Sequence, residues 1–199
     1  MVAHAAGVIL AGGYSSRMGR DKALLPLPGD ERRTFVSHIA SVLSATCREV
    51  VLVVRDAAQA VRYDMSGVRV VIDCQPGVGP LMGVYTGLSA IHCSHALVTA
   101  VDLPFIQASL VSFLLSQAHA DELVIPVVGE IPQVLLAVYP QTLLPMIEER
   151  LRSGRRDPRT LLASTQVQYI DEARLREVDP HLRSFLNVNT PEEFARYSK

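Results

Sequence analysis

Residues 50–54, Val-Val-Leu-Val-Val, form an unbroken apolar run with four β-branched members. A strand with one wet face would alternate polar and apolar side chains, so this run predicts a strand covered on both faces. Residues 8–11, 68–72, 96–101, 123–127, 134–139 and 167–170 supply further strand candidates. Helical segments lie between them. Thr34 is placed to cap a helix in which Phe35, Ile39, Val42 and Leu43 recur at helical spacing. Pro80 suits the first position of a helix carrying Val84, Leu88 and Ile91. Residues 110–118 and 140–151 read as two more helices, and 57–62 and 160–164 as short ones. Thr190 caps a last helix, with Pro191 at its first position and Glu192 and Glu193 in its first turn. Residues 24–30 contain Pro26 and Pro28 and read as an extended segment closed by a turn. Strands alternating with helices predict an α/β fold: one doubly wound, mostly parallel sheet with helices on both faces and right-handed crossovers.

The chain has 199 residues, which suits a single domain with a substantial core. With 19 Lys and Arg against 20 Asp and Glu there is no basic surplus, which argues against nucleic acid as the main partner. Recognition of an anion must therefore be local. Cys47, Cys74 and Cys93 stand far apart without a C-x-x-C pair, a pattern that fits a reducing cytoplasm and suggests neither a disulfide framework nor a zinc site. No basic leader followed by an apolar stretch opens the chain, and no run approaches 18 apolar residues, so a signal peptide and a membrane span are not expected. The histidines have no ligand-like spacing, and neither G-x-S-x-G nor H-E-x-x-H occurs.

The first strand candidate breaks abruptly into Gly12 and Gly13. A polar loop with a third glycine, Gly19, then leads to Asp21 and Lys22. Paired glycines let backbone N–H groups approach an anion with no Cβ in the way, and Arg17, Arg20 and Lys22 add three cations to the same loop. A strand emptying into such a loop is suited to holding phosphates. The spacing matches neither G-x-x-x-x-G-K-[ST] nor G-x-G-x-x-G. In an open α/β sheet, ligands bind beyond the carboxyl ends of the strands. Arg55, Asp73, Gly79 and Asp102 each follow a strand candidate, so the sheet reading brings all of them to the edge that carries the glycine loop. Asp102 ends a run apolar but for Thr99, where an unpaired carboxylate is costly to bury, so it calls for a cation.

Taken whole, Leu10-Ala-Gly-Gly-x-Ser-x-Arg-Met-Gly-x-Asp-Lys22 resembles the opening signature of the molybdenum cofactor guanylyltransferases (the molybdopterin-guanine dinucleotide biosynthesis protein A family), a branch of the Rossmann-like nucleotidyltransferases. Three later segments extend the likeness in order: Gly79-Pro80-Leu81-x-Gly83 together with Asp73, Asp102-Leu103-Pro104, and Asn187-Val-Asn-Thr-Pro-Glu-Glu193. Val53 departs from the pattern, since some members carry an asparagine there, and Arg55 is the candidate in its place.

The resemblance implies transfer of GMP from GTP to the phosphate of molybdenum-bound molybdopterin, with release of pyrophosphate. Lys22, Arg17 and Asp102 would be catalytic, with Asp102 holding Mg²⁺. Leu10, Ala11, Gly12, Gly13, Lys22, Arg55, Asp73, Gly79 and Asp102 would bind the nucleotide. Asn187, Asn189, Arg156 and Arg159 would bind the acceptor. The nucleotide half would span about residues 1–104 and the acceptor half about 105–199. Molybdenum insertion proteins or molybdoenzymes are the protein partners expected to receive the product. Two other readings stay open on the residues themselves. One is a related nucleotidyltransferase using CTP or a sugar-phosphate or alcohol acceptor, and the other is a non-catalytic module that binds pterin or nucleotide.

Overall fold

A computed structural model describes residues 5–13, 21–63, 65–119 and 121–197. Ten strands, seven α-helices and four short 3-10 turns are described. The first half runs β1 (Ala5–Leu10), β2 (Pro26–Leu27), β3 (Asp30–Thr34), α1 (Phe35–Thr46), β4 (Glu49–Val54), α2 (Ala57–Ala60), β5 (Val68–Ile72), α3 (Pro80–Ala90) and β6 (His95–Ala100). The second runs α4 (Ala108–Ser116), β7 (Leu123–Val128), β8 (Ile131–Pro132), β9 (Leu136–Pro140), α5 (Leu144–Arg152), β10 (Val167–Ile170), α6 (Glu172–Val178) and α7 (Pro191–Tyr197).

The main sheet has the order β10-β7-β9-β6-β1-β4-β5, with β8 paired to β7. Its β1, β4, β5 and β6 are mutually parallel, as are β7 and β10. The expected doubly wound, mostly parallel α/β sheet is thus present, with one exception. β9 runs antiparallel to both its neighbours. The cause lies in the chain just before it. Gly129 and Glu130 have φ of 53° and 64°, and this tight two-residue turn folds β8 back on β7. The chain then re-enters the sheet at once, without the helical crossover that a parallel strand requires.

The apolar runs bury both faces of the sheet. On one, Ile9, Leu52 and Leu97 pack with Phe35, Ile39 and Leu43 of α1 and Leu110 and Leu114 of α4. On the other, Val8, Val51, Val98 and Tyr139 pack with Leu81, Val84 and Leu88 of α3 and Ile147 of α5. α3 lies so close to β1 that a Cβ at Gly87 would fall 2.4 Å from Val8 Cγ1. The cap of α1 is the expected one: Thr34 Oγ1 accepts from Ser37 N, and Ser37 Oγ accepts from Thr34 N.

Three expectations needed revision. Residues 24–30 are not simply extended; a 3-10 turn at Lys22–Leu24 precedes a small hairpin of β2 and β3. The helix expected from Pro140 begins later, because Pro140 ends β9 and a 3-10 turn intervenes before Leu144. The short helix expected at 160–164 is a 3-10 turn at Pro158–Leu161, capped by the Asp157 side chain. Among the described residues no helix is long and apolar enough to cross a membrane.

Candidate active site

β1 lies between β4 and β6, so chain crossovers leave it in opposite directions and open a crevice at its carboxyl end. Hydrogen bonds carry the pairing past the strand ends: Ala11 N donates to Val53 O at 2.9 Å, Val101 N to Leu10 O at 3.1 Å, and Asp73 N to Val54 O at 2.7 Å. These bonds fix where the chain leaves each strand. Around the crevice is a cavity of about 330 Å³. Leu10, Ala11, Gly12, Gly13, Lys22, Asp73, Gly79 and Asp102, all nucleotide-site candidates from the sequence, line it.

Lys22 begins a 3-10 turn in which the Asp21 side chain accepts from Ala23 N, and its Nζ donates to Asn189 Oδ1 at 2.7 Å. The amine is thereby held on the cavity wall by a residue 167 positions away. Asp102 sits where β6 breaks into a turn closed by Leu103 N on Ala100 O, and its own carbonyl accepts from Val188 N at 2.9 Å. Burial pushes the Asp102 carboxyl above the usual carboxylate range, the Lys22 charge opposes that rise, and Glu193 adds to it. The site therefore disfavours a bare carboxylate and favours a bound cation.

Asp73 shows the same conflict. Burial raises its carboxyl, while the Thr86 hydroxyl and the backbone N–H groups of Gln75 and Cys74 draw it down. Thr86 Oγ1 donates to Asp73 Oδ1 at 2.9 Å and accepts from Cys74 N at 3.1 Å. Sequence reasoning missed Thr86. Its signal is a hydroxyl on the inward face of α3 among apolar residues, buried in the structure at 4% exposure.

A second cavity, again of about 330 Å³, opens beside the first and shares Pro80, Asp102 and Leu135 with it. Arg156, Arg159 and Asn187, three of the four acceptor candidates, line this one. The fourth, Asn189, reaches the first cavity through its bond to Lys22. Gly79 shows why the basic segment lies here. Its φ is 130°, and a Cβ there would meet Arg156 Cβ at 3.0 Å and Arg156 O at 3.2 Å. Leu81 N, at the start of α3, donates to that same carbonyl at 3.0 Å. The close approach that Gly79 permits is thus to the chain's own Arg156.

The model of the MobA-like NTP transferase domain matches residues 7–171. The chain belongs to this family. A probable molybdenum cofactor guanylyltransferase of Pelotomaculum thermopropionicum is 34% identical over 192 residues, covering 96% of this chain and 91% of the relative. The molybdenum cofactor guanylyltransferase of Desulfosudis oleivorans is 32% identical over 193 residues, covering 96% and 92%. Among solved structures, molybdopterin-guanine dinucleotide biosynthesis protein A from Archaeoglobus fulgidus superposes with a TM-score of 0.81 at 28% identity, covering 97% of this chain and 96% of that one. Rv0371c from Mycobacterium tuberculosis, solved in complex with manganese, shares the fold with a TM-score of 0.65 at 16% identity, covering 98% of both chains.

Within this MobA-like frame two sequence candidates stand apart. Arg55 does not line either cavity. Its Nε pairs with Asp56 Oδ2 at 2.9 Å, and Val53 occupies the cavity wall instead. Arg17 lies outside the described residues. Asp21, read from sequence as part of a family marker, turns away from the cavities: its Oδ2 accepts from Tyr63 OH at 2.9 Å and from Gln59 Nε2 at 3.2 Å.

Proposed function

We propose that this MobA-like nucleotidyltransferase moves GMP from GTP onto the phosphate of molybdenum-bound molybdopterin in the cytoplasm, forming the guanine dinucleotide and pyrophosphate. One observation carries the reading. Two cavities meet at Asp102, one walled by the glycine turn and Lys22, the other by Arg156, Arg159 and Asn187. A donor and an acceptor phosphate laid in them meet at the shared wall.

The nucleotide lies in the first cavity, its sugar and base against the apolar wall of Leu10, Val53 and Leu135 and beside Asp73. Backbone N–H groups at Gly12 and Gly13 and the Lys22 amine receive the phosphate oxygens. The acceptor phosphate lies between Arg156 and Arg159, and this division gives the first half of the chain to the nucleotide and the second to the acceptor. One acceptor oxygen forms a bond to the α-phosphorus as the bond from that phosphorus to the α–β bridging oxygen breaks. The displaced electron pair leaves with pyrophosphate. The attacking oxygen is already ionised at neutral pH, so no side chain has to remove a proton. Lys22 neutralises charge developing on the leaving group. The walls hold the two phosphates in line, which lowers the entropic barrier.

A divalent cation fits this site on the chemistry of Asp102. Asp102 is a half-buried carboxylate whose ionised form is disfavoured, and no group of three His, Cys, Asp or Glu side chains able to hold a metal occurs among the described residues. Mg²⁺ takes one or two carboxylates and completes its shell with substrate phosphates and water. When bound at Asp102 it supplies positive charge to the α-phosphate.

The test is a magnesium-dependent assay with molybdopterin acceptor and each of the four nucleoside triphosphates. Dinucleotide formation with GTP at least about tenfold faster than with the others is expected, a gap of about 1.4 kcal/mol in transition-state binding. Preference for CTP would contradict the substrate assignment.

A further inference from the structure

Gln59 is only 2% exposed, and its carboxamide is satisfied at both ends. Oε1 accepts from Arg55 N at 2.8 Å. Nε2 donates to Ala11 O at 2.9 Å and to Asp21 Oδ2 at 3.2 Å. Its own backbone is held in turn, because Gln59 N donates to Asp56 Oδ1 at 2.7 Å. Tyr63, 6% exposed and four residues further on, donates from its hydroxyl to the same Asp21 oxygen at 2.9 Å. The other Asp21 oxygen accepts from Ala23 N at 3.2 Å.

The placement of these partners matters more than their number. Ala11 immediately precedes Gly12 and Gly13, and Asp21 immediately precedes Lys22. The two N–H bonds of one planar amide therefore span both ends of the first loop, from a separate element that follows β4. Ala11 N is pinned to Val53 O as well, so the residue before the glycine turn is held by β4 through its N–H and by α2 through its carbonyl. A buried polar knot of this kind is costly wherever one partner is missing, so a well-packed apolar residue would suit the position better if packing were its only task.

We propose that Gln59, assisted by Tyr63, is a positioning residue that sets the glycine turn and the Lys22 turn at the separation one polyphosphate needs. This rests on the reading of the first cavity as the nucleotide site. Donors on the two turns reach the same phosphates only when their spacing is right, and a misplacement of about 1 Å is enough to cost large factors in binding and rate.

Gln59→Met keeps the length of the side chain and removes every hydrogen bond of the carboxamide, including a 3.4 Å contact from Nε2 to the Tyr63 hydroxyl. Tyr63→Phe removes the hydroxyl's bond to Asp21 and its longer contact with Gln59 Nε2 but leaves Gln59 bonded to Ala11 and Asp21. Each variant is compared with wild type by titration calorimetry with GTP and magnesium, by steady-state kinetics in both substrates, and by thermal melting. The expected result for Gln59→Met is GTP affinity about tenfold weaker, with KM for GTP raised alike and KM for molybdopterin within about twofold of wild type. Tyr63→Phe is expected to weaken GTP by about threefold in the same selective way. A purely structural role would instead lower the melting temperature and the active fraction while leaving the GTP affinity of folded protein unchanged, and that result overturns the proposal. If Gln59→Met fails to fold, the selective GTP effect in Tyr63→Phe decides, and its absence counts against the proposal. Wild type that fails to bind GTP would contradict the nucleotide reading itself. Wild type that binds GTP, with variants that bind it equally well, contradicts the positioning role alone.

Discussion

Asp102 is held where its charge is least welcome. Burial raises its carboxyl, and only Lys22 among the nearby charged groups eases the penalty, since Glu193 adds to it. A carboxyl whose folded-state pKa is raised binds its proton more tightly in the folded protein than in the unfolded chain. Stability is then full below the unfolded value and falls as pH rises through the folded one. Asp102→Asn removes that loss. In the metal-free protein it is expected to raise the melting temperature at pH 7, with the gain vanishing in melts run below pH about 3.8, the ordinary value for this side chain. The same variant is expected to lose activity, so function and stability pull in opposite directions at one residue. A melting temperature at pH 7 equal to or below wild type would show that the carboxylate is already compensated there.

At the scale of elements, the site is made by strand ends. β1, β5 and β6 each end within a residue of where their apolar residues give out, and Gly12 and Gly13, Asp73 and Asp102 follow them into the cavity wall. This part was legible in sequence, because a mostly apolar run ended by a polar residue or glycine fixes both the strand and the position of the group after it. The expected strands at 68–72 and 167–170 and the helix opened by Pro80 lie where the structure places β5, β10 and α3. α6 was not legible. Leu175 is its one fully buried residue, so no 3.6-residue period exists to be read, and its helical form rests on the Asp171 cap and the Glu172 pairing with Arg176. The reversal of β9 was hidden for a different reason. It depends on left-handed backbone at Gly129 and Glu130, and glutamate gives no sign of that conformation.

Glu49, at the start of β4, ties the opposite end of the sheet. Its carboxylate accepts from His92 N at 2.6 Å, Cys93 N at 3.1 Å and Arg69 Nη2 at 2.9 Å, so it staples the turn between α3 and β6 to β4 and β5. Burial works against its charge, but the N–H groups of His92 and Cys93 outweigh it and hold the pKa at about 2. With the folded value depressed, the stabilisation is present above the unfolded value and is lost as pH falls through about 2. Glu49→Gln is expected to destabilise by about 1–2 kcal/mol at pH 7 in denaturant titrations. The difference from wild type should shrink between pH about 4.5 and about 2. A difference that stays constant over that range would show that ionisation of Glu49 is not what holds the turn.

Across the whole molecule, the two halves of the chain are joined by the pairing of β6 with β9, and around the cavities by Lys22 on Asn189, Val188 on Asp102, and Gly79 against Arg156. The sequence carried the membership of this site better than its wiring. The strand ends brought Lys22, Asp73 and Asp102 to one edge and the family resemblance added Asn187, and all four line the two cavities. It could not show that Arg55 turns toward Asp56, or that Thr86, Gln59 and Tyr63 hold the groups in place. Such partners depend on long-range packing and leave no local pattern. The central claim is that one triphosphate lies between the glycine turn, Lys22 and a cation on Asp102. The most direct test is pyrophosphate release from GTP with molybdopterin and magnesium, measured for wild type and for Lys22→Ala protein shown by its melt to be folded. The account predicts a rate lower by a factor of about 10²–10³ with little change in melting temperature. A folded Lys22→Ala enzyme that releases pyrophosphate at the wild-type rate would contradict it.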